Sequence, residues 1–517
     1  MMKPIPLSII GLLAVTSSLL SADWPQWRGP DRNGVVRDSP VLPSELTEAT
    51  APQKVWELEG IPSDHYGGHG SLAVANGRVY LALVWHRDEP TDVRKIDRRV
   101  TSALGSRATH SIPPEIVEKM EHDRMNLSRR LRGAALDQYA RKWVEQNLEP
   151  KAQLSLGNWV VSRFRKGKSA VPLSVFETLS GVSDRTFGSQ EEMEAWVNQQ
   201  DFDPAIKNLI IEAVPDTRLV ANDVILVSDS ATGKEIWRFE KPGLPTGRGS
   251  SSTPAVVDGK IYAALSEHLY CLDAETGKEV WQAELKGKKG PASSPLICDG
   301  KVILQENFLC AFDAESGDVI WKNEQVKGSN QSPAIWKNVV LCNSAKEFKG
   351  VDLKNGTTLW TVPGGGDGTP VVSGDVVVVS SRSEGKNLIA YRLSDQGPKQ
   401  LWSRGFLSLR YGSSPIIYDG NVYYLGSQRH CCINLESGKM QWERQASSSI
   451  SSPILADGKL LVYENRGGFL AMLQATPDDY TNLGRAKVGA LRCASPALVG
   501  KDLFLRTKKS VVCYRFR

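Results

Sequence analysis

The histidine, arginine and acidic side chains that could meet at one site fall in short Gly- and Ser-rich stretches that recur along the chain. They are Asp64-His65-Tyr66-Gly-Gly-His69-Gly, 245–249 with Arg248, 328–330 with Asn330, 364–368 with Asp367, Leu409-Arg410-Tyr411-Gly and Leu491-Arg492-Cys493. Arginines beside backbone N–H groups suit a carboxylate or phosphate, so these residues are candidates for a small anionic, peptide or sugar ligand. The same groups can instead satisfy loop carbonyls, and both readings stay open. His65 and His69 are four apart, but in a Gly-rich loop rather than on a helix face, so no metal site is expected. No Cys-x-x-Cys, His-Glu-x-x-His or nucleophile elbow occurs, and no catalytic residue is assigned. The adjacent Cys431-Cys432 is the one pair with a redox look. It falls inside a strand-like run, in the register that Cys271 and Cys310 fill elsewhere, which suits small buried strand residues.

These stretches are positioned by a repeat. Residues 252–281 open with Ser/Thr-Pro, pass an Asp-Gly and an Asp-x-x-Thr-Gly-Lys turn, and close on Trp281. The pattern returns in register to Trp321, Trp360, Trp402 and Trp442, with a period of about 40 residues, the signature of a propeller blade of four short strands. Proline at the strand start does least harm to a ladder. Asp-Gly (Asp258, Asp299, Asp419, Asp457) makes a tight hairpin. The closing Trp is a large apolar plate placed to dock between blades. Strand starts at Leu72, Pro254, Pro295, Pro333, Pro370, Pro415, Pro453 and Pro496 give eight blades. Outer-strand ends at Trp237, the five repeats above, a Trp-less seventh and Trp56 also give eight. Trp56 precedes any first strand, so its strand should complete the last blade and leave no edge open. The expected fold is an all-β, eight-bladed β-propeller (53–85 and 223–517) closed by an N-terminal strand.

Residues 86–222 interrupt the first blade between its second and third strands, and should lie over the channel mouth, on the face where inner strands begin. Apolar spacing predicts helices over 114–132 and 134–148; capping boxes are read at Ser174–Glu177 and Ser189–Glu192, and Asp203-Pro204 starts another helix. Arg163, Arg165, Lys166 and Lys168 read as a solvated basic loop. Residues 23–52 form an N-terminal arm, anchored by Trp24 and Trp27 and packed on the propeller wall, with a sugar-stacking platform as the alternative. Residues 1–22, with Lys3 before an apolar run, read as a secretory signal, giving a periplasmic or secreted protein without a transmembrane segment. A balance of 63 Lys+Arg against 58 Asp+Glu, net +5, argues against nucleic acid as a partner. A monomer is expected.

The Asp-x-x-Thr-Gly-Lys-x-x-Trp unit (273–281, 313–321, 352–360, and a shifted 229–237) resembles the PQQ-like β-propeller repeat. That repeat occurs in quinoprotein dehydrogenases and in non-enzymatic BamB-like outer-membrane assembly proteins. The opening Trp24-Pro-Gln-Trp27-Arg-Gly-Pro30 is similar to the start of exported PQQ-like proteins. The enzyme branch implies PQQ with calcium and a vicinal disulfide, for which Cys431-Cys432 is the match in sequence. The BamB-like branch implies a scaffold that offers loops to a protein partner. We expect a non-catalytic binding and interaction scaffold without cofactor, with a PQQ-dependent oxidoreductase or a carbohydrate- or peptide-binding propeller as alternatives.

Overall fold

The computed structural model describes residues 23–517 except 129, 286, 288–289, 329, 384–385, 406–412, 427–428, 447–450, 465–467, 490 and 492. The chain divides into two compact units, Met1–Arg87 with Val220–Arg517, and Asp88–Leu219.

The first unit consists of eight small antiparallel sheets in chain order. Several follow one logic. A three-residue inner strand such as Ala255–Val257 turns through an Asp-Gly pair into the second strand. Both turn residues have φ > 0 (Asp258 50°, Gly259 73°), the conformation that lets a two-residue hairpin follow the strand twist. Between third and fourth strands, one Asp side chain organises the turn: Asp273 Oδ1 accepts from the N–H groups of Glu275 and Thr276 and from Thr276 Oγ1. In the third sheet the middle strands run together as Lys301–Asp313, with Asn307 taking the corner at φ 63°, so that sheet counts three strands. Asparagine tolerates this conformation better than most residues. The strand Gln53–Glu59 pairs antiparallel with the C-terminal strand Ser510–Arg515 as the outer member of the eighth sheet.

The closing tryptophans reach from each sheet into the next. Trp281 lies under the turn of the following sheet and donates Nε1–H to Ala314 O at 3.1 Å. Its indole occupies the space where a Cβ on Gly317 would stand, 2.6 Å away, which is why that turn carries glycine at φ 80°. Trp321, Trp402 and Trp442 donate likewise to Leu353, Leu435 and Thr476 carbonyls, and Trp237 packs under Gly277. Trp56, from the N-terminal strand, donates to Ser230 O of the first sheet. Trp360 differs: the fifth sheet lacks the Thr-Gly turn, and the ring packs edge-on against Phe348 of its own sheet. Where the seventh sheet has no tryptophan, Leu46 of the arm pairs with Gly484 and is buried in the core.

A second belt runs closer to the axis and explains the residue before each proline. The N–H of Ser71 donates to Thr253 Oγ1, that of Thr253 to Ser294 Oγ, and that of Ser294 to Ser332 Oγ. Thr369 N–H donates to Ser414 Oγ, Ser414 N–H to Ser452 Oγ, and Ser495 N–H of the last sheet to Ser71 Oγ of the first, at 2.8 Å. Each of these acceptor hydroxyls thus satisfies a buried N–H of the preceding sheet.

The second unit holds seven α-helices among the described residues, between Arg98–Ala103 and Pro204–Ala213, around two apolar cores. Ser189 caps Gln190–Gln199 and Asp203 caps Pro204–Ala213. Three sequence expectations are corrected. The helix expected over 114–132 ends at Met125. Ser174 lies inside the helix Leu173–Ser180, whose N-terminus is set by Pro172 without a side-chain cap. The basic run is not a loop: Arg163, Arg165 and Lys166 form the last turn of Pro150–Lys166, a helix whose apolar face completes one core. Arg163 is buried and bonds Glu121 at 2.7 Å together with Arg124, and Arg165 pairs with Asp137 at 2.5 Å.

Candidate functional site

The innermost strands present a free edge of carbonyls and N–H groups to the central channel, and those groups need partners. The arm provides them, so the wall it packs on is the inner one. Trp24 and Val74 exchange backbone bonds, Pro25 O accepts from Val256 N–H, and Gly34 O and Val36 N–H pair with Leu455. Arg28 and Arg32 are 2% and 4% exposed. Arg32 donates to Ser294, Pro295 and Pro333 carbonyls, and Arg28 to Ser414 and Pro415 carbonyls, the strand starts of three sheets. Both arginines hold left-handed backbone (φ 63° and 55°), an energetic cost offset by this bonding. Burial, with repulsion from Arg32 second, pulls the Arg28 guanidinium down to about 9, and burial does the same to Arg32.

Above the arm lies a pocket of about 420 Å³. Trp27 contributes to its lining and is fixed by a 2.8 Å bond from Nε1–H to Thr369 Oγ1. The belt hydroxyls of Ser294, Ser332, Ser414 and Ser452 line it, as do His69, Ser251, Ala292, Asn330, Asp367 and Cys493. The last six stand at one repeat position, three residues before a strand start.

Of the residues proposed from sequence, the structure brings His69, Asn330 and Asp367 into this pocket. His65 is exposed and outside it. Arg248 sits in the short 3-10 turn Gly247–Gly249, whose Gly249 lines the pocket. Arg410, Tyr411 and Arg492 lie outside the described residues. His69 is held by Asp64, Nε2 to Oδ1 at 2.6 Å. Their loop is pinned by Arg506, buried at 1% exposure and drawn down to about 10 by that burial, which donates to Pro62, Gly67 and Gly70 carbonyls. Gly67 and Gly68 have no room for a Cβ, which would stand 2.1 Å from Pro62 O and 1.8 Å from Ser250 O.

Sequence reasoning missed Trp27 as part of the pocket, both arm arginines, Arg506 and Cys493. Cys493 was within reach, since counting three residues back from Pro496 gives it directly. The arginines carry no local signal, because their partners are backbone carbonyls distant in sequence.

A second concavity, of about 1120 Å³, lies among residues of the first, seventh and eighth sheets and the strand Gln53–Glu59. Tyr66, Trp85 and Tyr514 line it with Lys487, Lys508 and Lys509.

A PQQ-repeat family model, described as outer membrane protein assembly factor BamB, matches residues 221–414 and 309–478. The chain belongs to the PQQ-like repeat family. It is 26% identical over 256 residues to tetrathionate hydrolase of Acidithiobacillus ferrooxidans, covering 40% of this chain and 48% of that one. It is 29% identical over 157 residues to a quinohemoprotein alcohol dehydrogenase of Pseudomonas putida, covering 26% and 22%. It is 25% identical over 189 residues to BamB of Escherichia coli, covering 36% and 46%. The chain thus spans less than half the length of these curated relatives. The solved structure of BamB from Moraxella catarrhalis covers 57% of this chain and 89% of its own, at 19% identity and a TM-score of 0.47.

PQQ-like repeats thus occur in relatives named as enzymes and in relatives named as assembly factors, so the residues must be tested against the cofactor. Among the described residues no group of three His, Cys, Asp or Glu could hold a metal ion. Cys431 and Cys432 are successive residues of the strand Arg429–Asn434 and point to opposite faces. Cys431 packs in the core shared with Val376 and Leu388, and Cys432 in the core shared with Leu455 and Leu460. Burial pushes both thiols up to about 12. The arm fills the channel below the pocket. These residues do not fit a calcium–quinone pair stacked on a vicinal disulfide.

Proposed function

We propose that this chain is an exported, eight-bladed PQQ-like propeller, closed by its N-terminal strand and acting as a monomeric, non-catalytic binding and interaction scaffold. The observation that carries this reading is the pocket beside the arm. The arm lies along the inner strands beside a pocket lined by an aromatic ring and by hydroxyl, amide and carboxylate groups, a concavity that suits a peptide or other small polar ligand. The groove with Tyr66, Trp85 and Tyr514 adds a surface carrying aromatic rings, the side chains enriched in protein interfaces. Among the described residues no helix is long and apolar enough to cross a membrane.

The test has two arms. A photo-crosslinking amino acid at Asn330 should give one defined adduct in the native envelope, lost when Asp367 becomes Lys. Titration of the purified protein with PQQ and calcium, followed by absorbance and dye-linked alcohol oxidation, should show neither saturable binding nor turnover. Quinone turnover would replace this reading with the oxidoreductase one.

A further inference from the structure

Five hydroxyls of the inner belt have a proton to spare. The oxygens of Ser294, Ser332, Ser414 and Ser452 each accept one backbone N–H, from Thr253, Ser294, Thr369 and Ser414, and Thr369 Oγ1 accepts the Trp27 indole N–H. A hydroxyl carries one donor besides its lone pairs. Among the described residues none of the five gives that donor to a protein acceptor. Ser413, which also lines the pocket, differs: its proton goes to Leu425 O of its own sheet. All five residues are buried, and all five line the mouth pocket. At the belt position of the last sheet, Ser495 Oγ is buried without any hydrogen-bond partner. A buried donor left without an acceptor is costly, so this pocket suits a ligand rich in acceptors.

The charge beneath the hydroxyls is positive and uncompensated. Arg28 bonds only backbone carbonyls, and Arg32 bonds carbonyls and the Gln26 amide oxygen, so neither guanidinium meets a carboxylate. Arg28 donates to Ser414 O and Arg32 to Ser294 O. Each cation is thus tied to a residue whose hydroxyl lines the pocket. Buried cations act over several ångströms in a medium of low dielectric, and a nearby anion offsets them. Asp367, the carboxylate lining the pocket among the described residues, stands two residues before Thr369 and has interactions of its own.

We propose that this pocket is an oxyanion site, in which the protons of Ser294, Ser332, Thr369, Ser414 and Ser452 are given to the oxygens of a sulfate, phosphate or carboxylate group seated over Arg28 and Arg32. The assignment rests on the scaffold reading and makes the oxyanion the recognised part of its ligand. A hydroxyl whose oxygen already accepts an N–H offers its proton first, which favours acceptors over cations. Hydrogen bonds to an ionised oxygen are the stronger kind.

The test is isothermal titration calorimetry of the whole chain in chloride buffer. The probes are sodium sulfate, sodium phosphate and N-acetylglycine, with N-acetylglycinamide and glucose as neutral counterparts. We expect saturable binding of at least one oxyanion and none of the neutral probes. The inorganic ions against N-acetylglycine tell a free anion from the carboxylate end of a larger ligand. Thr369→Val keeps the bulk, removes one hydroxyl, and should weaken binding about tenfold or more. Asn330 is exposed on the pocket wall, so Asn330→Asp adds a negative charge without touching the belt and should weaken binding about fivefold. Thermal melts identify a variant that has lost its fold. No saturable anion binding, equal binding of the neutral probes, or an unchanged affinity in folded Asn330→Asp and Thr369→Val overturns the proposal. An Asn330 cross-link formed by a chain that binds no oxyanion defeats this site alone. Oxyanion binding without any such cross-link defeats the scaffold reading alone.

Discussion

Most of the closing tryptophans do their work in the sheet that follows their own. Trp281 is 8% exposed, its ring lies against Gly317 and its N–H is satisfied by Ala314 O. Trp281→Ala removes the plate and one of the two donors to that carbonyl, Tyr262 Oη–H being the other, so a loss of about 3–5 kcal/mol is expected in urea unfolding, with the secondary structure kept. The turn aspartates give a pH prediction. Asp273 and Asp229 are held below the usual carboxylate range first by the Thr276 and Thr232 hydroxyls, and Asp313 first by the Ser316 N–H. A carboxylate whose folded pKa is depressed stabilises above its unfolded value, near 3.9, and loses that contribution as pH falls through the folded value. The sixth sheet makes the same turn with Asn434 Oδ1, which carries no charge. The triple variant Asp229→Asn, Asp273→Asn, Asp313→Asn should therefore keep the turns and flatten the stability curve below about pH 4. An unchanged acid limb would show that these bonds do not bear on stability.

At the scale of elements, the arm behaves as a ninth component of the propeller. Its two buried arginines answer carbonyls that no neighbouring strand can reach. Arg28→Met leaves the Ser414 and Pro415 carbonyls without their donor, at a cost of about 2–4 kcal/mol. It should also weaken the placement of Trp27, read as faster quenching of tryptophan fluorescence by acrylamide. The arm was legible as an extended, Trp-anchored segment, because Trp, Pro and Gly in 23–33 leave little room for helix or ladder. That it enters the channel was not legible, because every bond to the sheets joins residues at least 50 apart.

At the scale of the molecule, the chain behaves as two bodies with separate cores. Replacing 91–216 by a short glycine turn should leave a propeller that melts cooperatively, since Asp88–Leu219 has its own apolar clusters. Calorimetry of the whole chain should then resolve a transition that the shortened chain lacks. A shortened chain without a cooperative transition would show that the two cores are thermodynamically one.

The sequence by itself determined the repeat, the number of sheets, the pairing of the first strand with the last, and the tryptophan plates. Each of these is written in local periodicity, where a two-residue turn or an alternating strand depends on a few adjacent side chains. It also located His69, Asn330 and Asp367, because a repeat fixes equivalent positions. Only the tertiary structure decided that the arm plugs the channel, that Arg28, Arg32 and Arg506 are buried among backbone carbonyls, and that Cys431 and Cys432 face separate cores. It alone placed Cys493 in one cavity with His69. Those facts depend on how eight sheets turn about a common axis, which brings distant carbonyls, a loop histidine and a C-terminal cysteine together without leaving a pattern in the sequence around any of them.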